Sequence, residues 1–238
     1  MLKKGVLRKV AVDMTLIQAK WAAWFIGIVF AIYVLFRIFT PNVEVHSVSM
    51  ETHSFLTMAY SPSKVFMLVL GILSVSSFLP FYVQHGVTRR DYFYGASFSS
   101  TVLTAGLMAI AWLVTIIEQV IRPDMINPSF LGPDASWLLT AFIFTLVILA
   151  YFAGGWLIGA GFYRYGAGGL LFILLAILFI SFVESLWEFK QTHFLLLYFN
   201  FSDEQIPMSV SLLGTIATII VSFLIVRLMT KRVRIKIK

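Results

Sequence analysis

The chain contains no cysteine. That excludes a disulfide framework, a thiolate metal site and a cysteine nucleophile. Charge is scarce as well. Asp, Glu, Lys and Arg make up 12% of the 238 residues, while 60% are hydrophobic. An average soluble domain carries about 25% charged residues. A soluble globule of this length needs a polar shell, so the solvent for most of this chain must be lipid. The common catalytic patterns are missing too. There is no Gly-x-x-x-x-Gly-Lys-Ser/Thr phosphate cradle, no His-Glu-x-x-His and no Gly-x-Ser-x-Gly. The chain is therefore expected not to be an enzyme, and to bind no metal and no cofactor of its own. No charge falls in the middle of an apolar run. That argues against an ion-coupled carrier, which needs a buried ionisable relay.

What is present is a string of long apolar runs. A spanning helix takes about 20 apolar residues to cross roughly 30 Å of hydrocarbon. Six stretches qualify: 21–39, 65–84, 92–117, 135–163, 165–183 and 205–226. The fold class expected is all-α, a polytopic integral membrane protein with six transmembrane helices in a single domain, 1–238. The net charge of +7 sits at the ends of these runs. It reads as topology rather than as a nucleic-acid footprint, so no nucleic acid is expected as a partner. Placing both termini in the cytoplasm gathers Lys3, Lys4, Arg8, Lys9, Lys20, Arg89, Arg90, Arg164, Arg227 and the basic tail 230–238 inside. Arg37, Lys64, Arg122 and Lys190 remain outside, as do most acids. The N-terminal segment lacks a short apolar stretch with a small-residue cleavage site and is read as retained. The expected location is the plasma membrane.

The segment 1–20 has a pattern of its own. Leu7, Val10, Met14, Ile17 and Trp21 recur at spacings of three and four, with Lys4, Arg8, Lys9 and Asp13 elsewhere on the wheel. That predicts an amphipathic helix lying in the inner interface, an elbow leading into the first span; the plainer reading is a basic topology anchor. Pro80 predicts a kink in the second span. Gly154, Gly155 and Gly159 carry small-xxx-small spacing, for packing within the bundle or against a second subunit. Glu118, Glu184 and Glu188 close two spans at their outer ends, either as hydrated interface acids or as an outer acidic patch. An outer loop holds Glu44, His46, Glu51 and His53, with His193 elsewhere outside. The spacing is too loose to specify zinc, and a solvated polar loop is the better reading.

Between the second and third spans the chain reads Gly86-Val87-Thr88-Arg89-Arg90-Asp91-Tyr92-Phe93. Gly86 can end one helix, and Thr88 can cap the next with Asp91 three positions on. The result would be a preformed turn that presents two arginines to the cytosol. This stretch resembles the Gly-Val/Ile-Ser/Thr-Arg-Lys/Arg-x-Phe/Tyr-Phe segment found after the second span in small permease subunits of ABC transporters of the type-2 exporter class. Gly155-Trp156-Leu157-Ile158-Gly159 followed by Tyr163-Arg164-Tyr165-Gly166 is similar to that family's junction between the fourth and fifth spans, with a longer gap. The resemblance implies a coupling helix at Gly86–Tyr92 that docks on a separate ATP-binding cassette subunit. It also implies ATP and Mg on that partner, a second permease subunit in a homo- or heterodimer, and membrane lipid around both. The function it implies is ATP-driven export of an amphiphilic peptide or lipid-like substrate. Two other classes stay open: a membrane sensor or immunity protein that transports nothing, and an intramembrane metal-dependent hydrolase.

Overall fold

The structure, a computed structural model, describes residues 4–39, 44–45, 48–49, 54–121, 136–187 and 207–231. These residues are helical except for a small antiparallel ladder, β1 (Glu44–Val45) with β2 (Val48–Ser49), and the short caps and turns between helices. The helices are α1 (Lys4–Phe39), α2 (Phe55–Leu73), α3 (Leu79–Gln84), α4 (Arg89–Ile121), α5 (Trp137–Tyr165), α6 (Leu170–Trp187) and α7 (Met208–Thr230). Five helical stretches are long and apolar enough to cross a membrane, as a polytopic membrane protein requires: Val6–Phe39, Phe55–Gln84, Arg89–Ile121, Trp137–Trp187 and Met208–Thr230.

The expected elbow is not set off from the first span. Helix α1 runs unbroken through Lys20 and Trp21 for 36 residues, about 54 Å at 1.5 Å per residue. Its buried seam, Val10, Met14, Gln18, Ala22, Ile26, Val29 and Tyr33, advances in steps of three and four along both halves. The expected face is realised only at Val10 and Met14, because Ile17 and Trp21 are exposed. The seam follows Gln18 and Ala22 instead, because α4 lies on that side. Gly95 of α4 comes so near that a Cβ there would sit 2.8 Å from Val10 Cγ1.

Helix α2 starts at Phe55, well before the expected Val65. Side chains supply what its first turn lacks. Ser54 Oγ accepts from Thr57 N–H at 3.2 Å, Glu118 Oε2 from Phe55 N–H at 3.0 Å, and Thr115 Oγ1 from Leu56 N–H at 3.0 Å. These are the donors a helix N-terminus leaves open, and burial demands a partner for each. A π-helical segment, Ser74–Phe78, joins α2 to α3 just ahead of Pro80. A proline removes one backbone donor and crowds the preceding turn, and the wider π turn absorbs that mismatch. The Tyr92 hydroxyl of α4 donates to the Ser74 carbonyl at this point.

Helix α5 is the hub, packed against α2, α4, α6 and α7. Its crossing with α2 is backbone on backbone. A Cβ on Gly155 would lie 2.0 Å from the Leu68 carbonyl oxygen, one on Gly159 2.7 Å from that of Ile72, and one on Gly71 2.3 Å from that of Phe152. Gly154 faces Ile180 of α6. All three glycines singled out in α5 face neighbouring helices of this chain. At the far end of α5, Gly166 takes a φ of +60° and leads into a 3-10 turn, Gly166–Gly169. Helix α6 then folds back, with Phe172 stacked on Tyr165 at 5.6 Å and filling the space over Gly161.

Replacing Gly155 by valine should cost at least the ~1–3 kcal/mol typical of overpacking, because the obstacle is rigid backbone. Gly106→Ala, where nothing lies within 4 Å, should change stability little. Thermal unfolding of both variants in detergent checks the contrast.

Candidate functional site

Two places in the bundle concentrate polar chemistry. The first is the turn between α3 and α4. Helix α3 ends in a Schellman motif: Gly86 N–H bonds the Val83 carbonyl at 3.1 Å and Val87 N–H bonds that of Tyr82 at 3.0 Å. Gly86 takes the φ of +82° that this closure needs. Thr88 then caps α4. Its Oγ1 accepts from Asp91 N–H at 3.1 Å and donates to Asp91 Oδ2 at 2.8 Å. Asp91 is buried in the first turn, where its charge suits the helix dipole. The turn is therefore held from both sides.

Its two arginines have different jobs. Arg89 is half-buried and turns back, donating to the Lys231 carbonyl at 3.2 Å. Arg227 answers by donating to the Arg89 carbonyl at 3.2 Å, with its guanidinium 5.4 Å from the Phe93 ring centroid. Arg164, at the end of α5, donates to the Met229 carbonyl at 3.0 Å. The last carbonyls of α7 are thus gripped by guanidinium groups from α4 and α5, the favourable placement for cations at a helix C-terminus. Arg90 stays exposed, its guanidinium 6.0 Å from the Tyr94 ring. Of the pair expected to face a partner, only Arg90 is presented outward. The other turn residues, Gly86 to Tyr92, form the frame, with Tyr92 wholly internal.

The second place was not expected. Lys64, assigned by sequence to an outer loop, lies inside α2 and is 9% exposed. Its Nζ is 3.0 Å from Glu184 Oε1 of α6. Tyr151 of α5 donates its hydroxyl to the same Glu184 oxygen. The ammonium also lies 4.5 Å from the Tyr60 ring centroid and 5.4 Å from that of Tyr151. Glu184 lies about 21 Å along α6 from Leu170, and Tyr151 about 21 Å along α5 from Tyr165, at 1.5 Å per residue. Lys64 thus lies in the interior of α2, while Glu184 lies in the last turn of α6, which ends at Trp187. Lys64, read from the sequence as lying just before the second span, instead falls inside the apolar stretch Phe55–Gln84, where burial pairs it.

Of the acids expected at an outer patch, Glu118 and Glu184 bind different parts of α2. Glu118 closes the N-terminus of α2 and accepts from Tyr33, whose hydroxyl in turn accepts from Arg37 Nη2 at 2.8 Å. Glu184 pairs about 13 Å further along α2, counted from Phe55 to Lys64. Glu188, His46, Glu51, His53, His193 and the basic tail from Arg232 onward lie outside the described residues, and the side chain of Glu44 is not described. Among the described residues no cluster of three or more His, Asp or Glu is arranged to hold a metal ion.

In comparisons with known proteins, no family model, no curated protein and no solved structure matches the chain.

Removing one member of the buried pair should hurt more than removing both. Lys64→Met alone strands the Glu184 carboxylate and should cost about 3–5 kcal/mol. The double variant Lys64→Met/Glu184→Gln should recover most of that loss. Unfolding midpoints of the single and double variants in one detergent give the comparison.

Proposed function

We propose that this chain is the transmembrane permease subunit of an ATP-driven exporter, docking through the α3–α4 turn on a separate ATP-binding subunit in the plasma membrane. The observation that carries the proposal is the doubly capped turn at Gly86–Asp91, which holds Arg90 outward on a rigid frame. A transmitting element must not fray when pushed, and in this turn the N–H groups of Gly86, Val87, Asp91 and Tyr92 all have partners. Arginine suits the docking face, because its planar fork of donors meets carboxylates and carbonyls in fixed geometry.

In this reading the chain crosses the bilayer six times, the long Trp137–Trp187 stretch counting as two spans joined at Gly166–Gly169. Both termini then face the cytoplasm, in line with the positive-inside bias. The first part of α1, with Arg8 and Lys9 exposed, meets the inner surface before the helix enters the core. The arginine grip on α7 gives the motion a path. A shift of the turn moves the start of α4, and through Arg89 and Arg227 it carries the end of α7 with it. Arg164 brings the α5 end along. The partner's ATP and Mg would power the closure; this chain contributes levers, and its helices tilt as rigid bodies. A second permease subunit, identical or related, completes the transporter, and amphiphilic cargo fits a passage walled by apolar helices.

Gentle extraction of the tagged chain from its native cells, with mass spectrometry of co-purifying proteins, tests this. The natural chain should bring down an ATP-binding cassette subunit, and Arg90→Glu should lose it while the thermal midpoint stays unchanged. Arg89→Glu should instead lower the midpoint, because it breaks the bond to α7. Recovery of the natural chain with no ATPase overturns the proposal in favour of a sensor or immunity protein.

A further inference from the structure

One face of α1 is turned away from the bundle. Its buried seam packs towards α4. On the opposite side Lys20, Ala23, Trp24, Gly27, Ile28 and Ala31 line a shallow trough of about 580 Å³, open along its length. Two rows run side by side in steps of four, as neighbouring ridges of a helix do. Lys20, Trp24 and Ile28 form a wall, with Trp24 77% exposed. Ala23, Gly27 and Ala31 form the floor. A Cβ on Gly27 would meet nothing within 4 Å, so nothing of this chain lies over that glycine.

The trough has a length and a polarity. From Lys20 to Ala31 it runs about 16 Å at 1.5 Å per residue. That is half of the roughly 30 Å hydrocarbon core, the depth of one leaflet. Lys20 stands just before the apolar run that begins at Trp21, so the charged end lies at a membrane surface and the other end near the midplane. The lysine is exposed and has no hydrogen bond or ion pair among the described residues. Arg37, at the far end of the same helix, is by contrast held by the Tyr33 hydroxyl at 2.8 Å. Exposed Arg8 and Lys9 outweigh exposed Asp13 in the part of α1 before Lys20, so the field at this end is positive. Trp24 sits about 6 Å deeper than Lys20, where an indole N–H meets the ester layer of the bilayer.

Charge also decides between a lipid and a second copy of the chain. Copies inserted in the same sense run their α1 helices parallel. Pairing two of them floor to floor about a two-fold axis would bring Lys20 against Lys20, and like charges at an interface oppose binding. An anionic ligand answers the same charge. We propose that this trough binds one anionic glycerophospholipid of the surrounding bilayer. Its phosphate pairs with Lys20, its ester region meets Trp24, and one acyl chain lies on Ala23, Gly27 and Ala31 against Ile28. With both termini in the cytoplasm the site faces the inner leaflet, where anionic lipids attract juxtamembrane basic residues. The inference stands on α1 as a spanning helix and takes only the choice of leaflet from the transport reading.

The test uses the full chain, stripped of lipid in maltoside micelles. Dioleoyl phosphatidylglycerol or dioleoyl phosphatidylcholine is mixed in, and thermal unfolding is followed against lipid mole fraction. Phosphatidylglycerol should raise the midpoint saturably. Its half-saturating mole fraction should lie about fivefold or more below that of phosphatidylcholine, the equivalent of one basic contact near a membrane surface. Lys20→Gln should bring the two lipids together, and Lys20→Arg should keep them apart. Gly27→Leu leaves the lysine in place but fills the floor, at a position where a side chain meets nothing of this chain. It should lose the saturable response to phosphatidylglycerol. Equal half-saturation by both lipids in the natural chain overturns the proposal. So does a preference that survives Lys20→Gln, and so does one that survives Gly27→Leu, which would make Lys20 a surface charge without a site. Light scattering of the same samples checks the rival occupant: a natural chain that is dimeric and a Gly27→Leu variant that is monomeric assign the face to a second copy and overturn the lipid site. Lys20 is exposed and unpaired, so its two variants keep the test decisive even where Gly27→Leu does not fold. No ATP-binding partner enters these measurements, so failure here leaves docking at Arg90 standing, and loss of the docking reading leaves this site standing.

Discussion

The crossing of α2 and α5 at Gly71, Gly155 and Gly159 is the contact on which the rest of the bundle depends. In lipid there is little hydrophobic gain from bringing helices together, so close packing must supply the attraction. Backbones approach this closely only where no Cβ intervenes, and the glycines clear the path on both helices. Once the crossing is set, helix geometry fixes the neighbouring contacts. Towards one end, Tyr60 stacks on Phe144 and Lys64 comes up to Tyr151. Towards the other, the π segment Ser74–Phe78 packs on α5, and Trp156 stacks on Phe93 of α4 at 5.2 Å. One crossing therefore locates both the buried ion pair and the frame behind the α3–α4 turn.

The second constraint is that a bilayer offers no water to an open donor or acceptor. The bundle answers it between helices rather than within them. Side chains of α4 close the start of α2, arginines of α4 and α5 close the end of α7, and Trp187 Nε1 of α6 donates to Thr215 Oγ1 of α7 at 2.8 Å. Each such bond fixes the axial position of one helix against another. Packing alone permits sliding; a guanidinium on a terminal carbonyl does not.

The sequence made some of this legible. Apolar length alone placed the helices, and Gly86 with Thr88 and Asp91 marked the turn, because caps are local and depend on residue type at fixed offsets. What it hid has a common cause. Pro62 and Lys64 made 54–64 look like loop, yet Phe55, Leu56 and Ala59 are fully buried and Tyr60 is buried. A proline early in a helix is tolerable when other elements hold the first turn, and the holders here, Thr115 and Glu118, are about sixty residues away. Likewise the seam of α1 could be read as either of two overlapping stripes. The approach of Gly95 from α4 selected the one through Gln18, which accepts from Ser99 at 3.1 Å. The arginines of the turn looked equivalent because the carbonyl that claims Arg89, that of Lys231, lies near the far end of the chain. Local signals survive in sequence; partners that arrive by tertiary packing do not.

These long-range partners also join the two polar places. Helix α2 and its π segment run from the ion pair at Lys64 to the carbonyl of Ser74, about 15 Å along the axis. There Tyr92, in the first turn of α4, bonds that carbonyl. The π segment is the softest part of this rod, because its hydrogen bonds are wider and Pro80 has already taken one away. A displacement of the α4 start thus reaches α2 at the one point where α2 can change pitch without breaking. Such a change rotates the residues beyond it, and Lys64 lies on that side. Lys64 and Glu184 join α2 to α6 through their side chains, 3.0 Å apart. The place where the bundle can yield and the place where its charges can part are therefore on one helix, in line with the turn that would be pushed.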